Sequence, residues 1–302
     1  MSNTATVLAF DFGASSGRAI RAVYDGQNLT YEEIHRFENV PIEKDGHLCW
    51  DVETLLKEIH TAIQKAGTFD SLGFDTWGVD FGLLDADGHL LANPVHYRDA
   101  RTNGKPEQAA ACMPAEELYA HTGNQIMAIN TLFQLLALQE QESELLQKAE
   151  QILFMPDLFA ALLGAEPVCE RSIASTSQML DPRTGQWSRE VLTAYGLKEN
   201  HFAPLVASGT VTGTLTTGAK IIAVAGHDTQ CASAAMPCAE EDVEHTAFLS
   251  CGTWSLLGTE LDTPILTADS CQSGLSNELG ANGKINYLKN IIGLWLIQES
   301  RR

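Results

Sequence analysis

The segment 226–229, Gly-His-Asp-Thr, has residue types that can bind a small ligand and accept a proton from it. The apolar run from Ile221 to Ala225 predicts a short buried strand before it, and the small residues from Thr229 to Met236 predict a closely packed helix after it. Asp228 would then lie at the carboxyl end of a strand, where open α/β sheets bind ligands. It is a candidate proton acceptor, or alternatively only a helix N-cap that contributes about 1 kcal/mol.

A second candidate site is the glycine- and serine-rich turn Gly13–Gly17. Ser15 lies in a G-x-S-x-G sequence, but a nucleophile elbow requires a helix after the serine, and Arg18 to Tyr24 reads as a strand. The sequence therefore argues against a serine hydrolase. The alternatives are a β-hairpin whose amides and hydroxyls bind a phosphate, with Asp11 facing a metal ion, or a hairpin without a ligand.

The elements that would position these residues begin as a meander. Val7–Phe12 predicts its first strand, Leu29–Phe37 its third and the residues around Leu48 its fourth, and Asp51 is expected to cap a helix. The stretch from Ser71 to Phe81 predicts one buried strand. Its two carboxylates must point into a cleft or be paired structurally, and they are Asp75 and Asp80.

The pattern of strand, glycine turn and strand occurs again near the end of the chain. Thr246–Ser250 and Trp254–Glu260 predict two strands joined by the turn Cys251–Thr253. Two phosphate hairpins that face each other across a cleft are typical of the duplicated ribonuclease H-like fold of actin-like ATPases. We therefore predict an α/β protein with two domains and a central cleft.

Composition limits the partners. The chain has 302 residues, and 19 Lys and Arg against 39 Asp and Glu give a net charge of −20. Such a surface repels nucleic acids and anionic membranes. The seven cysteines are odd in number and lack C-x-x-C spacing, so they are expected to be reduced thiols of a cytoplasmic protein. Neither an export signal nor a run of about 18 apolar residues is visible.

Six segments spread over the whole chain resemble the FGGY carbohydrate kinase family. They are Asp11–Arg18, Asp75–Phe81, Tyr97–Thr102, Gly226–Thr229, Ser250–Ser255 and Leu288–Trp295. The chain departs from the family at Gly226 and Cys251, where serine is usual. The resemblance also implies that residues 1–238 form the first domain and that residues 239–302 are the start of an incomplete second domain, which stops before the glycine-rich segment that binds the adenosine.

The resemblance implies ATP and Mg²⁺ as cofactors and an expected role for each matching residue. The residues implied to bind ATP are Ala14, Ser15, Ser16, Gly17, Arg18, Thr253 and Gln298. Those implied to hold the sugar are Gly78, His227, Asp228, Thr229 and Asn290, with Asp228 as the proton acceptor. Asp11 is the expected metal ligand.

The activity implied is phosphorylation of L-rhamnulose at its 1-hydroxyl by a monomer or homodimer. Xylulose or fuculose as substrate, or a non-catalytic sugar-binding fragment, remain alternatives. The apolar residues from Asn290 to Gln298 predict a helix that forms the floor of the cleft. Because the second domain is expected to be incomplete, we predict that this helix is exposed or that residues from about 260 onward are poorly ordered.

Overall fold

The computed structural model describes residues 4–252, 254–294, 296–297 and 300. The strands are β1 (Ala5–Phe12), β2 (Ser16–Tyr24), β3 (Leu29–Glu38), β4 (Ile42–Lys44), β5 (His47–Cys49), β6 (Ser71–Thr76), β7 (Phe81–Leu84), β8 (Gln151–Phe154), β9 (Cys169–Glu170), β10 (Leu180–Asp181), β11 (Gln186–Trp187), β12 (Leu205–Val206), β13 (Thr210–Thr214), β14 (Lys220–Ala223), β15 (Phe248–Cys251), β16 (Trp254–Leu261), β17 (Ser276–Leu279) and β18 (Ile285–Ile292).

The helices are α1 (Val52–Ala66), α2 (Lys105–Ala109), α3 (Ala115–Thr122), α4 (Thr131–Gln141), α5 (Ser143–Lys148), α6 (Met155–Leu162), α7 (Arg171–Ala174), α8 (Arg189–Ala194), α9 (Asp228–Ala234) and α10 (Ala268–Gln272). Within the described part of the chain, every helix is too short or too polar to cross a bilayer.

A six-stranded sheet in the order β13-β14-β6-β1-β2-β3 is built from strands between Ala5 and Ala223. The first three strands form the predicted antiparallel meander, and β6 and β14 extend it in parallel with β1. Side chains alternate along β1, so Leu8, Phe10 and Phe12 are buried on one face while Asp11 points to the other. Phe12 stacks on Phe159 of α6 at 4.8 Å between ring centroids, which joins the sheet to its covering helix.

Two predicted strands differ in the structure. The strand near Leu48 exists as β5, but it pairs with β4 in a separate ribbon and does not join the sheet. The predicted strand from Ser71 to Phe81 is broken after Thr76, because Val79 takes a left-handed φ of 67° and Asp80 turns inward to bind four hydrogen-bond donors. Because of this break, Gly78 lies in a bend outside the sheet.

The second sheet is antiparallel, in the order β15-β16-β18-β17. One face packs into a small core of Phe248, Leu256 and Leu288. On the other face, pairing places Leu249 opposite Leu257, and their side chains are 57% and 47% exposed. We call this second surface, made by Leu249, Leu257 and Ile291, the bare face of the second sheet.

Buried hydrogen bonds join the second sheet to α3 and to the loop that follows it. The backbone N–H of Asn277 donates to the Gly123 carbonyl at 2.8 Å, and its amide Nδ2 donates to the Tyr119 hydroxyl at 3.2 Å. The hydroxyl oxygen of Tyr119 in turn lies 2.5 Å from the hydroxyl oxygen of Ser270. These contacts fix β17 beside the loop that follows α3.

Candidate active site

A cavity of about 300 Å³ lies between the first hairpin, the break after β6, the loop after α3, the start of α9 and the second sheet. Its lining residues are Gly13, Ala14, Ser15, Ser16, Trp77, Gly78, Val79, Tyr97, Asn124, Gln125, Met127, Ile129, Asn130, Thr176, His227, Asp228, Thr229, Ser250, Gly252, Trp254, Leu256, Ser276, Glu278 and Asn290. The residues predicted to hold a sugar, Gly78, His227, Asp228, Thr229 and Asn290, are therefore all brought together.

Asn290 reaches the cavity from an element that the sequence did not predict. Residues Asn290 to Ile292 are the end of β18 and not the start of a helix, because β18 pairs with β16 along its whole length. The apolar run satisfies its backbone in the sheet, and Ile291 and Ile292 remain exposed. The predicted helical floor of the cleft is therefore wrong at its first residues. Gln298, at the end of that predicted helix, lies outside the described residues.

The first hairpin presents only part of its predicted phosphate site to the cavity. Its turn is closed by the Gly13 N–H, which donates to the Ser16 carbonyl at 2.9 Å. Ala14, Ser15 and Ser16 line the cavity, whereas Gly17 packs where a Cβ would overlap the Phe37 ring. Arg18 is not among the lining residues, and its side chain pairs with Asp11 directly across the hairpin.

The second hairpin has a similar turn, in which the Gly252 N–H donates to the Trp254 carbonyl at 2.8 Å. Ser250, Gly252 and Trp254 line the same cavity as the first hairpin. Thr253, the predicted phosphate ligand at its tip, lies outside the described residues. The two hairpins thus open on one shared space.

Asp11 lies near the end of β1 and forms an ion pair with Arg18. The Nη2 atom of Arg18 is 2.6 Å from Asp11 Oδ2. The neighbour of Asp11 across the parallel strands is Asp75. Burial raises the pKa of Asp75 well above its usual range, and the negative charges of Asp11 and Asp228 raise it further. Among the described residues, the ligand atoms of Asp11, Asp75 and Asp228 do not all lie within 4.8 Å of one another, so these carboxylates do not form a closed metal cluster and Mg²⁺ at Asp11 stays a prediction.

Asp228 is the first residue of α9, and His227 is its N-cap, so Asp228 is not the helix cap. Its side chain is 38% exposed towards the cavity. Oxygen Oδ1 accepts hydrogen bonds from the Thr229 N–H at 2.6 Å and the Thr229 hydroxyl at 3.2 Å. Burial raises the pKa of Asp228, and His227 opposes this effect.

Trp77 and Tyr97 form one wall of the cavity, which we call the aromatic wall. Both residues are held by the buried carboxylate of Asp80. Trp77 Nε1 and Trp50 Nε1 donate to Asp80 Oδ2 at 3.0 and 2.7 Å, and the Tyr97 N–H donates to it at 3.1 Å. Burial raises the pKa of Asp80 to about 6, although these hydrogen bonds oppose the shift.

Sequence reasoning missed Glu278, a buried cavity residue on β17. Its carboxylate Oε2 lies 2.9 Å from His227 Nδ1 and accepts a hydrogen bond from Gln230 Nε2 at 2.8 Å. The only signal in the sequence was the polar pair Asn277-Glu278 in an otherwise ordinary short strand. Nothing in its spacing relates it to His227.

Residues 6–234 match the N-terminal domain of the FGGY family of carbohydrate kinases. The chain belongs to the FGGY family. Two curated members of similar sequence are rhamnulokinases. The chain is 41% identical over 307 residues to the one from Bacteroides thetaiotaomicron and 40% identical over 312 residues to the one from Enterococcus faecalis.

This FGGY chain spans 63% and 62% of the lengths of those two relatives, while 97% and 98% of the chain itself is covered. The fold agrees with that of a solved sugar kinase. The gluconate kinase from Lactobacillus acidophilus covers 99% of the chain with a TM-score of 0.80 at 17% identity, and the chain covers 62% of that protein. The predicted ribonuclease H-like, actin-like ATPase fold of the FGGY kinases is therefore confirmed for the residues present.

Proposed function

We propose that this chain carries the sugar and phosphate sites of an ATP-dependent kinase that phosphorylates L-rhamnulose at its 1-hydroxyl. The observation that carries the proposal is the convergence of Gly78, His227, Asp228, Thr229 and Asn290 on one cavity beside both glycine hairpins. Similarity to two rhamnulokinases supports L-rhamnulose as the sugar.

In this proposal Asp228 accepts the proton of the sugar hydroxyl. The hydroxyl oxygen forms a bond to the γ-phosphorus of ATP, and the bond from that phosphorus to ADP breaks. Phosphoryl transfer has a loose transition state, so the protein chiefly positions the groups and compensates charge. The turn residues Ala14, Ser15 and Ser16 would hold phosphate oxygens, and the resemblance to the family makes Thr253 a further phosphate ligand.

Three further ATP contacts belong to the proposal, namely Gly17, Arg18 and Gln298. Gly17 would serve by keeping the hairpin turn narrow, since Phe37 occupies the place of its side chain. Mg²⁺, when bound, would neutralise the charge of the phosphates, and Asp11 would hold it.

His227, Thr229 and Asn290 would hydrogen-bond the sugar hydroxyls, and the aromatic wall would cover its apolar face. Asn290 Nδ2 lies 3.5 Å from Gln125 Oε1, a long contact that a sugar hydroxyl can replace. A ketose that lacks the partner of one of these groups would leave it buried and unpaired, at a cost of about 1–3 kcal/mol.

The proposal also includes the domain division, with residues 1–238 in the first domain and 239–302 in the second. The proposed partners of the protein are the sugar and ATP, and the protein is proposed to act as a monomer or homodimer. All seven cysteines are free thiols, which supports a place in the cytoplasm.

The test is a coupled ADP-release assay with L-rhamnulose, xylulose and fuculose. It compares this chain with one extended to the length of the curated relatives. We expect the extended chain to prefer L-rhamnulose over xylulose by at least about tenfold in kcat/KM. The 302-residue chain should bind ATP more weakly and show no turnover. Equal efficiencies for the three ketoses would contradict the sugar assignment, and equal turnover of both lengths would contradict the role of the absent residues.

A further inference from the structure

A carboxylate of the second sheet reaches into the first domain at His227. Glu278 Oε2 and His227 Nδ1 lie 2.9 Å apart, and the two side chains are only 5% and 10% exposed. At this distance the charge of the carboxylate acts strongly on the imidazole ring. A buried carboxylate of this kind would be costly without an opposite charge beside it.

The other ring nitrogen of His227 faces the cavity. Nε2 lies 3.5 Å from Asp228 Oδ1, and it is 3.4 Å from the position that a Cβ would take at Gly78. The imidazole therefore has one nitrogen towards the second sheet and one towards the proton acceptor and the ligand space. The orientation of this ring decides which hydrogen-bond donor the cavity offers.

Glu278 is itself held in place. Gln230 Nε2 donates a hydrogen bond to Glu278 Oε2 at 2.8 Å. The residues on either side of Glu278 in β17 are hydrogen-bonded to the first domain. The Asn277 N–H donates to the Gly123 carbonyl at 2.8 Å, and the Leu279 N–H donates to the Ser175 hydroxyl at 2.9 Å. The carboxylate is therefore presented to His227 from a strand that both domains fix.

We propose that Glu278 is a positioning residue that keeps the His227 ring turned so that its Nε2–H points into the cavity, towards the sugar hydroxyl and Asp228. The identity of the hydroxyl rests on the proposed function, whereas the ring orientation does not. Glu278 acts through His227 and does not contact the reacting atoms.

The surrounding charges support a protonated ring. Burial alone would lower the pKa of His227, but the carboxylates of Glu278, Asp228 and Glu170 outweigh burial and raise it. These groups face the ring from β17, from α9 and from the end of β9 just before α7. A protonated imidazole has an N–H on both nitrogens, so it can face Glu278 and still donate into the cavity.

The test is a histidine titration by ¹⁵N NMR of the 302-residue chain, with His227 assigned from the His227→Gln spectrum. In the wild-type chain His227 should be protonated at about pH 6.5 on both nitrogens, and in Glu278→Gln its pKa should fall by about one pH unit or more. The matched control Asp269→Asn removes an exposed carboxylate from α10 and should leave that pKa unchanged. Glu278→Asp should restore part of the shift.

A neutral His227 in the wild-type chain at about pH 6.5 would overturn the proposal without any variant. A folded Glu278→Gln chain with an unchanged His227 pKa would overturn it as well. Calorimetry with L-rhamnulose then tests the consequence for binding, where Glu278→Gln should bind about tenfold more weakly than Asp269→Asn. Absence of binding heat in the wild-type chain would count against the proposed sugar, while the titration would still decide the role of Glu278.

Discussion

Trp77 Nε1 donates a hydrogen bond of 3.0 Å to Asp80 Oδ2, and this buried contact holds the aromatic wall of the cavity. Asp80 is fully buried and accepts four hydrogen bonds, from two indoles, one backbone N–H and the Gln134 amide. The donors stabilise its charged form, yet burial still raises its pKa to about 6.

The first prediction follows from that pKa. The folded pKa of Asp80 lies above its ordinary value of 3.8, so the folded chain binds the proton more tightly than the unfolded chain. As the pH rises through the window between these values, the contribution of Asp80 to stability is lost. We expect the free energy of unfolding, relative to Asp80→Asn, to fall by about 1 kcal/mol between about pH 5.2 and 7.

Urea denaturation at both pH values measures this difference. Asp87→Asn, which changes an exposed acid of the nearby hairpin, serves as the control and should track the wild-type chain. If the wild-type chain and Asp80→Asn differ by the same amount at both pH values, the explanation from the buried carboxylate is wrong.

The second prediction concerns the room beside Gly78. A methyl group there would come within 3.2 Å of Thr176 Cγ2 and 3.4 Å of His227 Nε2. Gly78→Ala should therefore cost less than about 1.5 kcal/mol of stability but weaken sugar binding by about tenfold or more. Calorimetry and thermal unfolding of the same preparation separate the two effects. Unchanged affinity would mean that the sugar does not use this space.

The third prediction tests Asp228 as the proton acceptor in the extended chain. Asp228→Asn keeps hydrogen-bonding capacity but cannot take the proton, so kcat should fall by about 10² to 10⁴ with sugar affinity largely retained. Because burial raises the pKa of Asp228, kcat/KM of the wild-type enzyme should decline on the acid side above the range of an ordinary aspartate. Retention of more than about a tenth of the rate would remove Asp228 from this role.

The fourth prediction concerns the attachment of the second sheet. Asn277 is completely buried, and its amide donates to the Gly123 and Ile265 carbonyls at 3.1 and 3.0 Å. Asn277→Leu would leave the Ile265 N–H, which donates to Asn277 Oδ1 at 2.8 Å, without its acceptor, and would remove the amide's bonds to Ile265 and Tyr119, with an expected cost of about 2–4 kcal/mol. Limited proteolysis should then cut within residues 236–246 sooner than in the wild-type chain. Identical digestion patterns would show that other contacts hold the sheet.

The sequence was informative where one local rule decided the structure. The apolar run, the glycine turn and the second run predicted β1, the first hairpin and β2, and Asp51 caps α1 as expected. The sequence misled where pairing partners decided. An apolar run such as Asn290–Ile292 suits a buried helix and a strand equally, and only β16 and β17 beside it select the strand.

Glu278 illustrates a different limit. Its contact with His227 joins residues 51 positions apart, and it depends on how β17 packs beside the loop that follows α3. Hydrophobic periodicity does not encode such docking. The cavity residues that resemble the family were identified because their motifs are local, whereas a single carboxylate held by tertiary contacts has no local pattern.

The bare face of the second sheet gives this acidic chain an apolar surface through which copies can associate. Leu249, Leu257 and Ile291 are 57%, 47% and 41% exposed, and a net charge of −20 keeps copies apart in dilute buffer. At about 1 M salt the screening length falls to about 3 Å, so this repulsion disappears while the attraction between apolar surfaces grows. Light scattering should therefore show association that rises with salt, and Leu257→Lys should suppress it.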